Sequence, residues 1–258
     1  MALFPVIGIP LGGDDIVCPF PAANRLAEWW AGDGSAVYSK RIATGGDNSP
    51  VTGWTDETST YTPVQTTTGN QPTYKKKVAA LNNRSAVLFD TDDYLIATVT
   101  AGIVAPLSVY TIYAVLTCTN VSSGYIYSEG AVASATPLAR LGVSVGGAGD
   151  VTAQHRDDAT TLLSYSTAAS LIADGAKHLI TLRRIAVNSW STRVDGVQKA
   201  TAVTAPCTTT INRITLGCRA NAPALFLNGN LALLRCSNAD DFATLEPLIA
   251  THYAITLP

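Results

Sequence analysis

A chain of 258 residues has room for one large all-β sandwich or for two small domains, so length alone leaves the domain count open. Charged residues make up only 14% of it and the formal net charge is −2, which excludes a surface built to track nucleic-acid phosphates. The shortfall in charge is filled by Ala, Thr, Ser and Val, a composition suited to a chain that covers much of its exterior with partners.

The segment MALFPVIGIPLGGDD is apolar but lacks Lys and Arg and is interrupted by Pro5 and Pro10 before it reaches Asp14 and Asp15, which is not the pattern of a signal peptide. Residues 1–20 read as an extended arm whose apolar side chains, Phe4, Pro5, Val6, Ile7, Ile9 and Pro10, need a surface to lie on: the body of the domain or a neighbouring subunit. No run approaches the roughly 20 apolar residues needed to span a bilayer. NRLAEWWAGDG follows as a short helix or strand ended by Gly32 and Gly34. Residues 43–74 are rich in Gly, Thr, Asn, Ser and Pro, too long for an inert linker, and Trp54 and Tyr61 are expected to pin them to the body. Lys75, Lys76 and Lys77 read as a solvated turn.

From Ala86 onward short strands dominate. SAVLFD and DYLIATV flank an acidic turn, and PLSVYTIYAVLTCT has the unbroken apolar run of a central strand buried on both faces. GYIYSEGAVA, LARLGVSVGG, DVTAQHRD, KHLITLRRIAV, STRVDGVQKATA, NRITLGC and NGNLALLRCS continue at the spacing of a sandwich. Asp195-Gly196 and Asn228-Gly229 both carry the signature of a two-residue hairpin, whose central residues need positive φ. Only DFATLEPLIATHYA reads as helix, with Leu245, Leu248 and Ile249 on one face and Pro247 in the first turn. No internal repeat or second core appears, so one domain over residues 21–258 is expected behind the arm.

The five cysteines, Cys18, Cys118, Cys207, Cys218 and Cys236, include no CxxC pair and read as small buried thiols, with a Cys207–Cys218 bridge as the alternative. Glycosidases place two carboxylates about 5–5.5 Å apart in the retaining case, and on one strand this calls for alternating acidic residues. Glu28, Glu57, Glu129 and Glu246 stand isolated, so no enzymatic site is expected. Asp90, Asp92 and Asp93 form the densest acidic cluster, read either as calcium ligands or as a turn cap and strand start. Asp157 and Asp158 read as a hairpin tip, and Gly146, Gly147 and Gly149 as a loop. Trp54, Tyr61, Tyr74 and Trp190 are the candidates for stacking on a sugar ring, with core or anchoring duty as the competing role.

The order of these signals resembles the concanavalin A-like (laminin G-like) jelly rolls. Trp54 and Asp56, then Gln71-Pro72, Asn82-Asn83, Phe89-Asp90 and Asp92-Asp93-Tyr94-Leu95 match the family's first half. HLITLRR, RVDGVQ and FLNGNLALLRCSNADDFATLEPLIATHYA match its closing strands, hairpin and final helix. The resemblance implies a two-sheet antiparallel β-sandwich with an extended amino-terminal arm and a short carboxy-terminal helix, and a structural place for His178 at the start of a core strand. It extends to tailed-phage virion proteins. On that basis the chain is expected to be a non-enzymatic virion component, a capsid decoration, head fibre or tail appendage. It would attach through its arm to a capsid or tail protein and form a homo-oligomer such as a trimer. The alternative is a lectin domain for a cell-surface glycan, followed by a glycan hydrolase. No cofactor beyond calcium, no nucleic acid and no membrane enters these readings.

Overall fold

A computed structural model describes residues 18–32, 41–119, 124–132, 140–145, 149–156, 162–169, 171–203 and 210–258, with the side chains of 140–145, 156 and 162 left aside. The arm residues Phe4 to Pro10, Cys207, Asp157, Asp158, Gly146 and Gly147 lie outside the described residues.

The chain forms β1 (Arg25–Trp30), β2 (Ile42–Thr44), β3 (Val51–Trp54), β4 (Thr73–Val78), β5 (Arg84–Phe89), β6 (Leu95–Thr98), β7 (Tyr110–Cys118) and β8 (Gly124–Gly130). It continues with β9 (Arg140–Val145), β10 (Val151–Arg156), β11 (Leu162–Ser166), β12 (Lys177–Ala186), β13 (Ser189–Val194), β14 (Val197–Val203), β15 (Arg213–Leu216), β16 (Gly229–Ser237) and one helix, α1 (Phe242–Tyr253). An eight-stranded antiparallel sheet runs β14-β13-β12-β7-β16-β5-β4, with β1 also paired to β16, and packs on a six-stranded sheet ordered β11-β10-β9-β8-β15-β6. The all-β sandwich with a short closing helix is therefore the observed fold.

β7 occupies the middle of the large sheet, as its apolar run predicts. Period-2 alternation sends Tyr110, Ile112, Ala114 and Leu116 into the core between the sheets. Tyr113 and Val115 point to the opposite face, where Leu245, Ile249 and Tyr253 of α1 cover them. The helix faces the sheet through this i, i+4 series, so Leu248 stays 45% exposed and does not share the buried face expected of it. Pro247 is also one turn further in than expected, since the helix starts at Phe242. The lysines Lys75, Lys76 and Lys77 lie on β4, at the rim of the large sheet, and not in a turn. Lysine-rich rims keep a sheet edge from pairing with another chain.

The Asp195-Gly196 pair makes the expected hairpin between β13 and β14, with φ of +49° and +77°. Asn228-Gly229 does not. Its residues open β16 after the chain has crossed from β15 in the other sheet, and Gly229 serves close approach: a Cβ there would stand 2.3 Å from the Thr117 carbonyl oxygen of β7.

β1 pairs with the second half of β16, bringing Glu28 opposite Arg235. Both side chains are fully buried and ion-paired at 2.9 Å. Arg235 also donates to the carbonyls of Pro21 and Ala23, each at 2.8 Å, and Arg25 donates to that of Phe20 at 2.8 Å. The Cys18 thiol donates to Glu28, and Cys18 and Phe20 are buried against the helix side of the sheet. Breaking a buried pair by deleting one partner strands the other charge, so Arg235→Ala or Glu28→Ala is expected to cost about 3–5 kcal/mol in chemical denaturation. A loss under about 1 kcal/mol would show that water reaches the pair.

A second charged cluster ties the hairpin turn down. His178 lies with Nδ1 2.7 Å from Asp195 and Nε2 3.0 Å from Asp174, while Asp195 also accepts the Leu179 amide at 2.8 Å. Burial alone would lower the histidine, but its bonds to Asp195 and then Asp174 outweigh it and hold the pKa above the usual value. A folded-state pKa above the unfolded one, about 6.5, adds stability that is complete below the unfolded pKa and is lost as pH rises through the folded one. The melting temperature is therefore expected to fall as pH climbs above the ordinary histidine range. His178→Gln should flatten that slope, and an unchanged slope in the variant would remove His178 as its source.

Candidate functional site

The long polar segment is organised around one carboxylate. Asp56, fully buried, accepts the amides of Thr58 at 2.8 Å, Thr60 at 2.9 Å and Tyr61 at 2.6 Å, as well as the Thr58 hydroxyl. Asp commonly bonds the backbone just ahead of it, and here that habit curls residues 56–61 into a fixed tip. The chain then runs back beside the sheet. Val64 and Ile96 exchange amide-to-carbonyl bonds of 2.8 and 3.0 Å, so Val64 pairs with β6, the edge strand of the small sheet. Gln65 holds the return: its side-chain oxygen accepts the Thr67 amide at 2.9 Å, and its backbone carbonyl accepts Gln71 Nε2 at 2.9 Å.

Beyond Val64 the two segments part, and the wedge between them is an open cleft of about 770 Å³. Thr60, Thr62, Thr66 and Thr67 line the loop side, Thr98 and Thr100 the strand side, with Val64, Ile96, Ala97 and Val99 as apolar surface between. Tyr61 and Tyr94 supply aromatic rings, and Tyr94 is backed by Phe226 at 5.9 Å between centroids. Strand alternation adds a backbone contribution. Leu95 and Ala97 turn their amides and carbonyls to β15, Ile96 spends its own on Val64, and those of Thr98 consequently face the open edge.

Glu129 lies behind this region. It accepts the amides of Val104 at 2.9 Å and Ala105 at 3.1 Å and the hydroxyl of Tyr127. Burial raises its pKa, an effect these bonds oppose. The carboxylate is fully buried, and a Cβ on Gly102 would stand 2.3 Å from it, so the loop 101–105 closes tightly over it. The Tyr61 phenol is likewise raised, first by burial and then by Glu129 and Asp56. Among the described residues no carboxylate lines the cleft, whose chemistry is that of hydroxyls and rings.

Of the four residues singled out for sugar stacking, only Tyr61 lies in the cleft. Trp54 is fully buried beneath the loop, its carbonyl accepting Trp29 Nε1 at 3.0 Å. Tyr74 is buried with its hydroxyl on Ser85 at 2.9 Å, and Trp190 is buried edge-on against Tyr110 and His155. These three are corrected to core residues, because their rings are sealed by the two sheets. The acidic cluster is taken up by its own turn: Asp93 accepts the Asp90 amide at 3.0 Å and Asp92 accepts Asn70 Nδ2 at 2.6 Å. Burial pushes the Asp93 carboxyl up to about 6, partly offset by the Asp90 amide. Among the described residues no group of three His, Cys, Asp or Glu side chains is placed to hold a metal ion. The cleft threonines were not singled out by sequence, whose one pointer was the length and polarity of residues 43–74.

No protein-family model matches the sequence, and no curated protein matches it. Solved structures do. The binding domain of Paraclostridial Mosquitocidal Protein 1 is similar over 74% of this chain and 50% of its own, at 10% identity and a TM-score of 0.52. The K499G mutant of NanB sialidase from Streptococcus pneumoniae matches over 58% of this chain and 26% of its own, at 13% identity and TM-score 0.50. The Ruminococcus gnavus IT-sialidase CBM40 matches over 58% and 85%, at 15% identity and TM-score 0.48. These likenesses agree with the two-sheet antiparallel β-sandwich. This chain thus spans half of the toxin domain and about a quarter of the whole sialidase, and identities this low speak for the fold alone. The virion part of the sequence resemblance gains nothing from these neighbours.

Asp56 is the residue on which the loop wall depends. Asp56→Ala is expected to cost about 1.5–3 kcal/mol, the range for hydrogen bonds to a charged group. Amide hydrogen exchange should rise at Thr58, Thr60 and Tyr61, and unchanged protection there would show that the tip is held by something else.

Proposed function

We propose that this chain is a non-catalytic carbohydrate-binding module whose ligand lies in the cleft between residues 60–67 and β6. The observation that carries this reading is the lining itself: six threonines on opposed walls around an apolar floor, with two tyrosines at hand. Hydroxyl pairs suit the alternating donors and acceptors of a sugar, and an aromatic face suits the C–H side of a pyranose. The volume falls within the roughly 300–1,000 Å³ of small-ligand sites. A lectin-like sandwich is a reasonable scaffold for such a site, though fold by itself assigns no ligand. The virion reading rests on the family resemblance and on the arm, whose residues 1–17 lie outside the described residues.

The test is binding to a printed glycan array by the full chain and by Tyr61→Ala. Tyr61 is only half-buried at the cleft rim, so the variant should fold normally and lose about 1 kcal/mol or more of binding free energy. Trp54→Ala serves as the contrast: it should lose about 3–5 kcal/mol of stability, without a separate effect on the ligand. Binding that survives Tyr61→Ala unchanged would place the ligand elsewhere on the sandwich.

A further inference from the structure

We infer that the cleft selects uncharged glycans, oligosaccharides without sialic acid, uronic acid or sulfate; this rests on the reading of the cleft as a sugar site. An acidic sugar taken out of water needs a cation or a set of aimed donors to replace its hydration, and arginine is the usual means because its fork matches a carboxylate. Among the described residues the lining comes from Thr60 to Thr67 and from Tyr94 to Ala101, with no Lys, Arg or His in it.

Among the described residues two arginines lie near its walls, and each donates to a protein oxygen, although the buried Arg213 Nε has no partner. Arg41 bonds to Ser59, beside the loop tip, and lies 3.8 Å from Glu57. Arg213 is the cross-strand partner of Thr98, but its guanidinium donates to the Ala220 carbonyl at 3.1 Å. The groups behind the walls are acidic instead. Asp56 sits under the loop tip and Glu129 under residues 102–105, and after burial itself both push the Tyr61 phenol upward. Asp92 adds an exposed carboxylate next to Tyr94, tied only to Asn70. An anionic ligand would enter against like charge with no partner waiting, which is the usual way a site rejects the wrong class.

The experiment is an array that carries neutral oligosaccharides beside the same oligosaccharides capped with sialic acid or sulfate, probed with the full chain at low and high salt. Neutral glycans should be bound with signals unmoved by salt, because no ion pair is screened, and their acidic counterparts about tenfold or more weakly at low salt, rising as salt weakens the repulsion. Tyr61→Ala should erase the neutral signal. Preference for the acidic member of each pair, or affinity that falls as salt rises, would overturn the inference while leaving a sugar site in the cleft. A chain that binds no glycan of either kind would overturn the cleft reading itself, and this inference with it.

Discussion

The buried guanidinium of Arg235 is the constraint around which the rest of this sandwich is arranged. A charge sealed from water must be matched by acceptors in fixed positions, and here those are the Glu28 carboxylate and the carbonyls of Pro21 and Ala23. Meeting that need brings β1 alongside β16 and draws residues 18–23 over the helix-covered face, where Phe20 and Cys18 join Leu245, Ile249 and Tyr253. The same chain then leaves β1 for the polar loop, where the Glu57 amide bonds back to the Glu28 carbonyl at 2.8 Å. The ion pair and the tip of the polar loop are thus joined through a single residue's backbone.

How far the sequence could be read depended on how local each signal was. β7 was legible because a strand buried on both faces calls for a long, nearly continuous apolar run, broken here only by Thr111 and Thr117. Asp195-Gly196 was legible because positive φ at two successive residues restricts the choice of side chain. Asn228-Gly229 carries the same letters for another reason: the glycine is needed where β16 passes the Thr117 carbonyl, and the contact is made by a strand over a hundred residues away. Pairing of Glu28 with Arg235 left no local trace either, since isolated charges in apolar strands look alike until the register is known.

The cleft was the least legible part. Trp54, Tyr74 and Trp190 are large aromatic residues in or beside polar sequence, and composition gives no means of telling a ring that faces solvent from one turned under the sheet. What makes the site is a divergence: Val64 pairs with Ile96 for one residue and then the segments separate. Its threonines come from two stretches some thirty residues apart, in a chain where threonine is common throughout. Only the length of the polar segment hinted that something more than a connection was needed.

β16 touches β7 along its whole length on one side, while its other side is divided between β5 at Gly229–Leu231 and β1 at Leu233–Ser237. The last strand described therefore joins pieces made near the beginning and the middle. As the polypeptide leaves the ribosome, β5 can pair at once with β4, but β1 has no strand partner until β16 has emerged about two hundred residues later, and contacts of such sequence separation make folding slow. Until then β1 carries two tryptophans and a glutamate without its arginine, the kind of exposed surface through which an unfinished fold aggregates.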